Sequence, residues 1–451
     1  MSAPFGETKT NKPLLSFEGM LASLKTEAKK FPDNRTGKNL SYSAIEDIAL
    51  SAFSAFYLQH PSFLDQQQQM EVEQGENNAR NLFGIDKIPT ANHIRTSLDG
   101  GAPSLLNPVY EGIVTELYQQ GMLEDMRCFN EQLLVAFDGV HFHESQKISC
   151  DCCSHKTNKK DEIHYFHSAV TPVIVSPKHK RAVGLPPEFI TPQDGHQKQD
   201  SELAAAKRWL SQHGSRYRDW GVTILGDDLY CHQPFCEEVL AQGYHFLLVC
   251  KPDSHKTLYE WLDGLEKTGL TGTKVQERRI GKRREIDTYR FVSDLPLRNS
   301  DDALKVNWCE LTTTTPEGEV LYRNAFATDH KIDEHKVAEV VAAGRSRWKI
   351  ENENNNTLKT KGYHLEHNFG HGKKGLANLL ASMNMLAFLF HTVLEMTCEA
   401  YVKIRKKLGA RNKFFDHIRT LTHYICFENW TELLRFMATR LKVKVEALDT
   451  G

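Results

Sequence analysis

The chain has 451 residues, is 40% hydrophobic and 10% aromatic, and carries a formal net charge of −2. This is ample apolar material for packed cores and, by length, for about two to four domains, which excludes a small disulfide-dependent scaffold or a wholly disordered polymer. Near-neutrality also excludes attraction to nucleic acid by overall charge, so any DNA contact has to come from local basic patches.

The opening stretch, MSAPFGETKTNKPLLSFEG, is polar and lacks the apolar core of a secretory signal, so a cytoplasmic location is expected. Residues 1–12 read as disordered, and 13–130 as a helical N-terminal domain for DNA binding or dimerisation. Within it Leu15, Phe17, Met20, Leu21 and Leu24 share one helical face, and Ile45, Ile48, Ala49, Ala52, Phe53 and Phe56 share another. IPTANHIRTSLDG predicts a short helix opened by Thr90 or Asn92. Asn92, His93, Arg95 and Thr96 would face outward if it were a DNA-reading helix. No strand signal precedes residue 131.

The texture changes at Gln132. LLVAFDGVHFH reads as a buried strand ending at Asp138-Gly139, and HYFHSAVTPVIVSP as one or two strands. A helix over Glu202–His213 leads to VTILGDDLY, a second buried strand running into Asp227-Asp228. A helix over Pro234–Gln242 and the strand HFLLVCKP follow. This alternation predicts an α/β core over 131–270, a mixed sheet with flanking helices. KVQERRI, REIDTYRFV, LKVNWCELTT and EVLYRNAFATD then predict a β-rich insertion over 271–330. Helical pattern returns over Asp333–Asn356 and runs to about Val445. Residues 331–396 read as the last helices of the core and 397–451 as an all-α C-terminal region. The longest apolar run, Leu376–Met396, is broken by Asn378, Ser382, Asn384 and His391, so it predicts a buried helix and no membrane span.

The acids at the strand ends point to phosphodiester chemistry. Cutting DNA without a covalent enzyme intermediate needs an activated water or sugar hydroxyl, and neutralisation of charge on phosphorus and on the leaving oxygen. A pair of Mg²⁺ ions about 3.5–4 Å apart does both, and hard cations take carboxylate oxygens. Asp138 ends one apolar strand and is followed by Gly139. Asp227 ends another and is preceded by Gly226; Asp228 is the alternative ligand there. Either acid alone reads equally as a solvated strand end. The third element is GRSRWKIENENNNTLKTKGYHLEHNFGHGKKGL. On an α-helix Arg347, Glu351 and Asn355 share a face at four-residue spacing, with Trp348 and Ile350 as anchors. A guanidinium beside a carboxylate suits a site for metal and phosphate.

The set FDG, LGDDLY and RSRWKIENENNNTLK resembles bacterial insertion-sequence transposases of the DDE type. It is closest to those with a β-rich insertion before the final glutamate and a signature Tyr-x2-Arg-x3-Glu-x6-Lys. Arg347 and Glu351 fit Arg-x3-Glu. Gly344 stands at the tyrosine position, and Leu358 at the lysine position, with Lys359 one residue late, about 80° off the glutamate face of an α-helix. Lys361 is an alternative. The resemblance covers roughly residues 133–396. It implies a ribonuclease H-like core with Asp138, Asp227 and Glu351 as catalytic metal ligands for Mg²⁺ or Mn²⁺, two per site. It further implies double-stranded DNA as partner, at element terminal inverted repeats and target sites, a homodimer on DNA, and DNA contacts by Arg347, Asn355, Lys359 and Lys361. A decayed relative that binds DNA without cutting, and a nuclease that cuts without joining, are the alternatives.

Lys274–Arg290 holds seven Lys or Arg against three acids. Arg279, Lys282, Arg283 and Arg284 are therefore expected at DNA on a basic hairpin; a solvated hairpin explains the same pattern. The ten cysteines, without a signal, argue against a disulfide framework. Cys150, Cys152, Cys153 and His155, with His164 and His167 across an apparent hairpin, form the one cluster, expected to clip a structural Zn²⁺, although Cys-x-Cys-Cys-x-His is not a standard finger spacing and reduced thiols in a polar hairpin tip are the alternative.

Overall fold

Residues 13–36, 43–192, 200–281 and 283–446 are described in the computed structural model. The disorder expected for residues 1–12, and Lys282, lie outside them. The helices in chain order are α1 Phe17–Ala28, α2 Ile45–Tyr57, α3 Phe63–Met70, α4 Glu73–Phe83, α5 Ala91–Leu98, α6 Asn107–Gln119, α7 Glu202–Tyr217, α8 Gln233–Ala241, α9 Lys256–Lys267, α10 Val337–Arg345, α11 Asn356–Thr360, α12 Leu376–Thr397, α13 Glu399–Leu408, α14 Arg411–Tyr424 and α15 Trp430–Arg440. The strands are β1 Leu133–Ala136, β2 Gly139–Ser145, β3 Ser154–Thr157, β4 Ile163–Val170, β5 Val173–Val175, β6 Val183–Gly184, β7 Glu188–Ile190, β8 Val222–Gly226, β9 His245–Val249, β10 Gly272–Ile280, β11 Arg283–Pro296, β12 Lys305–Thr314 and β13 Val320–Thr328. They fall into two compact units. A helical unit holds the chain up to Met122, Ile148–Asp151 and the chain from Leu358 on; an α/β unit holds Leu123–Lys147 and Cys152–Thr357.

The α/β unit is built on a nine-stranded mixed sheet in the order β10-β11-β12-β13-β9-β8-β1-β5-β6. β1, β8 and β9 run parallel to one another, and the remaining pairs are antiparallel. The expected β-rich insertion is present as β10–β13. It is no separate layer, because β13 pairs with β9 and so extends the core sheet. A second sheet, β2-β4-β3 with β7 on β4, grows from the same chain. Ala136 faces Val173 in the first sheet and Gly139 faces Val170 in the second. The two ladders are thus one hairpin in register, broken at Phe137–Asp138 and Thr171–Pro172. Proline cannot donate to a ladder, which accounts for one side of the break; Thr171 N closes it by donating to Asp138 O at 3.0 Å.

Side chains alternate across the sheet. Leu134 and Ala136 join Leu225, Leu247, Phe326 and the buried residues of α10 in one core. Phe137, of opposite parity, meets Trp209 of α7 and Phe235 of α8, with ring centroids 5.2 and 6.4 Å apart. The helix expected over Asp333–Asn356 is interrupted. After α10 come a tight turn at Ser346 and a π-helical turn, Ile350–Asn355, that leads into α11. A π turn carries an extra residue, so the 80° displacement computed for Lys359 on an unbroken α-helix does not apply. Ile350 is buried as expected, but Trp348 is 45% exposed and anchors nothing. Lys349 anchors the segment instead, donating to the carbonyls of Ser176, Pro177 and His179. Helix α9 carried no reading from the sequence; it docks through Leu258 and Leu262.

In the helical unit α12 is the central rod. It is long and apolar enough to cross a membrane, yet nearly every residue from Leu376 to Leu394 is buried against protein. Two of its polar breaks are used internally: Asn384 Nδ2 donates to Tyr363 O at 2.7 Å, and His391 Nδ1 lies 2.5 Å from Tyr363 OH; the backbone carbonyl of Ser382 accepts from Tyr110 OH at 2.7 Å. Phe17 stacks near Trp430 at 4.6 Å and Phe53 near Phe390 at 4.9 Å. Residues 358–396, expected with the core, group with this unit.

The signature tyrosine is sterically excluded from this backbone. A β-carbon at Gly344 would stand 2.7 Å from the Phe326 ring of β13. Gly344→Tyr is therefore expected to destabilise the fold by about 1–3 kcal/mol or more, as overpacking does. An unchanged urea midpoint would show that α10 can lift off the sheet without cost.

Candidate active site

The break in the hairpin places the first acid. β1 pairs with β8 in parallel, Ala136 beside Leu225, and Phe137 N donates to Leu225 O at 2.8 Å. Asp138 and Asp227 each follow two residues later, at neighbouring strand ends, with the parity of the face that carries α10 and Ile350. Asp228 has the opposite parity and is spent elsewhere. Its Oδ1 accepts from Lys251 N at 2.7 Å and its Oδ2 from the Ser254 hydroxyl. Of the two alternatives at this strand end, Asp227 is the one that faces Asp138.

The π turn brings the third acid. Glu351 pairs with Arg347, Nη2 to Oε1 at 3.0 Å. Asn355 was expected at DNA but is buried, and its amide is used up inside the site. Nδ2 donates to Asp138 Oδ2 at 3.2 Å, while Oδ1 accepts from Thr171 Oγ1 at 3.2 Å and from Asn354 Nδ2 at 2.9 Å. Asn355 therefore positions Asp138.

A fourth acid was missed in the sequence. Glu202, the first residue of α7, reaches over Gly139 and accepts from Tyr230 OH at 2.7 Å. A β-carbon at Gly139 would overlap Glu202 Oε2, and one at Gly226 would stand 2.8 Å from the Tyr230 ring. Each glycine beside an acid thus makes room for this fourth arm. Its one sequence signal was position: Ser201 caps the helix, its hydroxyl accepting from Ala204 N at 3.2 Å, so the next residue is held at a fixed strand-side corner.

The electrostatics record the convergence. The Asp138 carboxyl is pushed up to about 7, first by burial; the Arg347 guanidinium opposes this, and the charges of Glu202, Glu351 and Asp227 add to it. Burial likewise raises Glu202, against the Tyr230 hydrogen bond. Four carboxylates thus share one guanidinium in a half-buried corner. Like charges this close disfavour joint ionisation unless a cation enters.

Arg279, Arg283 and Arg284 are exposed near the tip of the β10–β11 hairpin. Arg284 pairs with Glu277, while Arg279 and Arg283 make no ion pair among the described residues. In the helical unit Lys359 pairs with Glu366 at 2.8 Å and Lys361 is exposed. In α5, Thr90 is the cap, and Arg95 turns inward to Phe369 O at 2.7 Å, so only Asn92 and Thr96 of the proposed reading set are exposed. Of the cysteine cluster, Cys153 is buried 3.3 Å from His167 Nε2, Cys152 is half-buried, and His155 is exposed on β3, one register position too far. Cys150 belongs to the helical unit, where Asp151 N donates to Lys373 O at 3.3 Å.

No protein-family model matches the chain, and no curated protein matches it in sequence.

A raised folded-state carboxyl adds stability below the ordinary carboxylate range and loses it as pH rises through about 7. The melting temperature of the metal-free chain should therefore fall between about pH 5 and about pH 8. Asp138→Asn should flatten that fall, and Mg²⁺ should stabilise the wild type more at the higher pH. A profile identical in Asp138→Asn would place the burden on another group.

Proposed function

We propose that this chain is a DNA transposase of the DDE type, a metal-dependent enzyme that cuts DNA at element ends and joins the freed 3′-hydroxyl to target DNA. One observation carries the reading: Asp138 and Asp227 stand at adjacent parallel strand ends, and Glu351, from the helix after the β insertion, adds its charge to theirs. A mixed sheet with flanking helices and acids so placed is what a ribonuclease H-like core requires, which supports that finer description of the fold. The tight Gly344–Phe326 contact is compatible with a glycine standing at the tyrosine position of the signature.

The acid set fits divalent cations. Its negative charge is opposed by the Arg347 guanidinium, in a corner dry enough to raise Asp138 to about 7. Asp138, Asp227 and Glu351, with Glu202, would hold Mg²⁺ or Mn²⁺, two per site. When bound, these supply charge neutralisation at phosphorus and activation of water or a sugar hydroxyl at neutral pH. The protein's own groups do the rest. Asn355 fixes the rotamer of Asp138, and Tyr230 that of Glu202. Arg347, held flat by Glu351, presents its remaining donors to a phosphate oxygen.

The substrate is double-stranded DNA, and a homodimer on DNA in the cytoplasm is the working assembly. The hairpin tip, with Arg279 and Arg283 making no ion pair among the described residues and Lys282 between them in sequence, is the surface for the phosphate backbone.

The test is Mg²⁺-dependent cleavage of a plasmid carrying the segment that encodes the chain together with its flanks. Asp138→Asn, Asp227→Asn and Glu351→Gln should each lower cutting by about a thousandfold or more while DNA affinity stays within about twofold. Glu202→Gln should lower it by about ten- to a hundredfold. Full-rate cutting by Glu351→Gln would sink the assignment. Cutting without joining of a labelled 3′-hydroxyl end would identify a nuclease instead, and binding without cutting a decayed relative. Replacing Arg279 and Arg283 by Gln should weaken DNA binding and reduce its salt dependence by about two phosphate contacts; an unchanged salt slope would remove the hairpin from the interface.

A further inference from the structure

Cys231, Cys250 and His255 come from three segments of the α/β unit: the turn between β8 and α8, the end of β9, and the residue before α9. They are 0%, 1% and 4% exposed. The two sulfurs and one ring nitrogen of His255 all lie within 4.8 Å of one another. Among the described residues His255 Nε2 has no hydrogen-bond partner. Asp228 Oδ1 is 3.4 Å from it, near enough for attraction but without the direction of a hydrogen bond. A buried polar atom left unmatched costs about 1–3 kcal/mol, and fully buried histidines are normally matched. Both cysteines are free thiols.

Thiolate sulfur and imidazole nitrogen are the donors Zn²⁺ prefers. Bonds of about 2.3 Å to sulfur and 2.0–2.1 Å to nitrogen set neighbouring donors of a tetrahedron roughly 3.5–3.8 Å apart. The spacing seen here needs at most a small inward closure to meet that. The hard cations suited to the acid corner prefer oxygen and would not choose these donors. A cavity of about 350 Å³, lined among others by Cys231, His232, His255 and Lys256, adjoins the trio. Asp228, engaged by Lys251 N and Ser254, stands beside the trio as a compensating charge.

We propose that Cys231, Cys250 and His255 bind a Zn²⁺ ion that staples the turn following Asp227 to the end of β9 and the start of α9. The ion displaces one proton from each thiol, and no electron transfer is involved. The site needs only these three donors, so it stands or falls separately from the DNA-cutting reading.

The test is Co²⁺ titration of the full chain, purified metal-free under reducing conditions. Thiolate-to-cobalt charge-transfer absorption should appear in the near ultraviolet and be bleached by Zn²⁺. Cys231→Ser and Cys250→Ser should each remove a large part of it. His255→Ala should weaken Co²⁺ binding by about tenfold or more. His255→Cys, which replaces one ligand by another, should keep binding and raise the charge-transfer intensity. Serine variants with wild-type spectra would assign the cobalt to other thiols and overturn the site. If the serine variants do not fold, His255→Cys decides: an intensity no greater than wild type overturns it.

Discussion

Negative charge gathered at one corner of the sheet governs the α/β unit. Asp138, Asp227, Glu351 and Glu202 reach the break in the β1–β2 strand run from four chain segments, and the Arg347 guanidinium opposes them. Such a cluster opposes its own folding, since each acid disfavours ionisation of the next. It persists because the backbone around it is fixed by interactions that do not involve the acids. The parallel β1–β8 ladder sets two of them side by side, the Ser201 cap sets the third arm, and Lys349 ties down the π turn that bears the fourth.

The residues around the acids follow from the same constraint. Gly139 is small because Glu202 crosses it, and Gly226 because Tyr230 does. Asn355 and Thr171 form a neutral chain that orients Asp138 without adding charge. Acids whose charges oppose one another in this way concentrate where a ligand completes the site. The buried Cys231, Cys250 and His255 repeat the pattern with softer donors on the next turn of chain, where Asp228 has turned away from the acid corner.

The helical unit answers a different demand. Its apolar rod α12 is surrounded by protein and carries polar side chains at Asn384 and His391 that partner within the unit. A lipid-facing helix would have no use for them. These contacts give the rod its depth, and its composition alone would have allowed a membrane span as well.

Period-two and period-3.6 patterns were enough to read β1, β8, β9, the insertion strands and most helices, because each element buries one face whatever its neighbours are. The strand-end acids Asp138 and Asp227 and the Arg347–Glu351 spacing were legible for the same local reason. What sequence could not carry was anything requiring two distant segments at once. The parity that separates Asp227 from Asp228, the recruitment of Glu202, and the withdrawal of Asn355 and Arg95 from the surface all depend on which segments pack together. So do the exclusion of a tyrosine at Gly344 by Phe326 and the meeting of three scattered soft donors. Local propensity fixes an element's type within a few residues of chain; a side chain's partner is chosen by packing between elements far apart in sequence, and that only the tertiary structure decides.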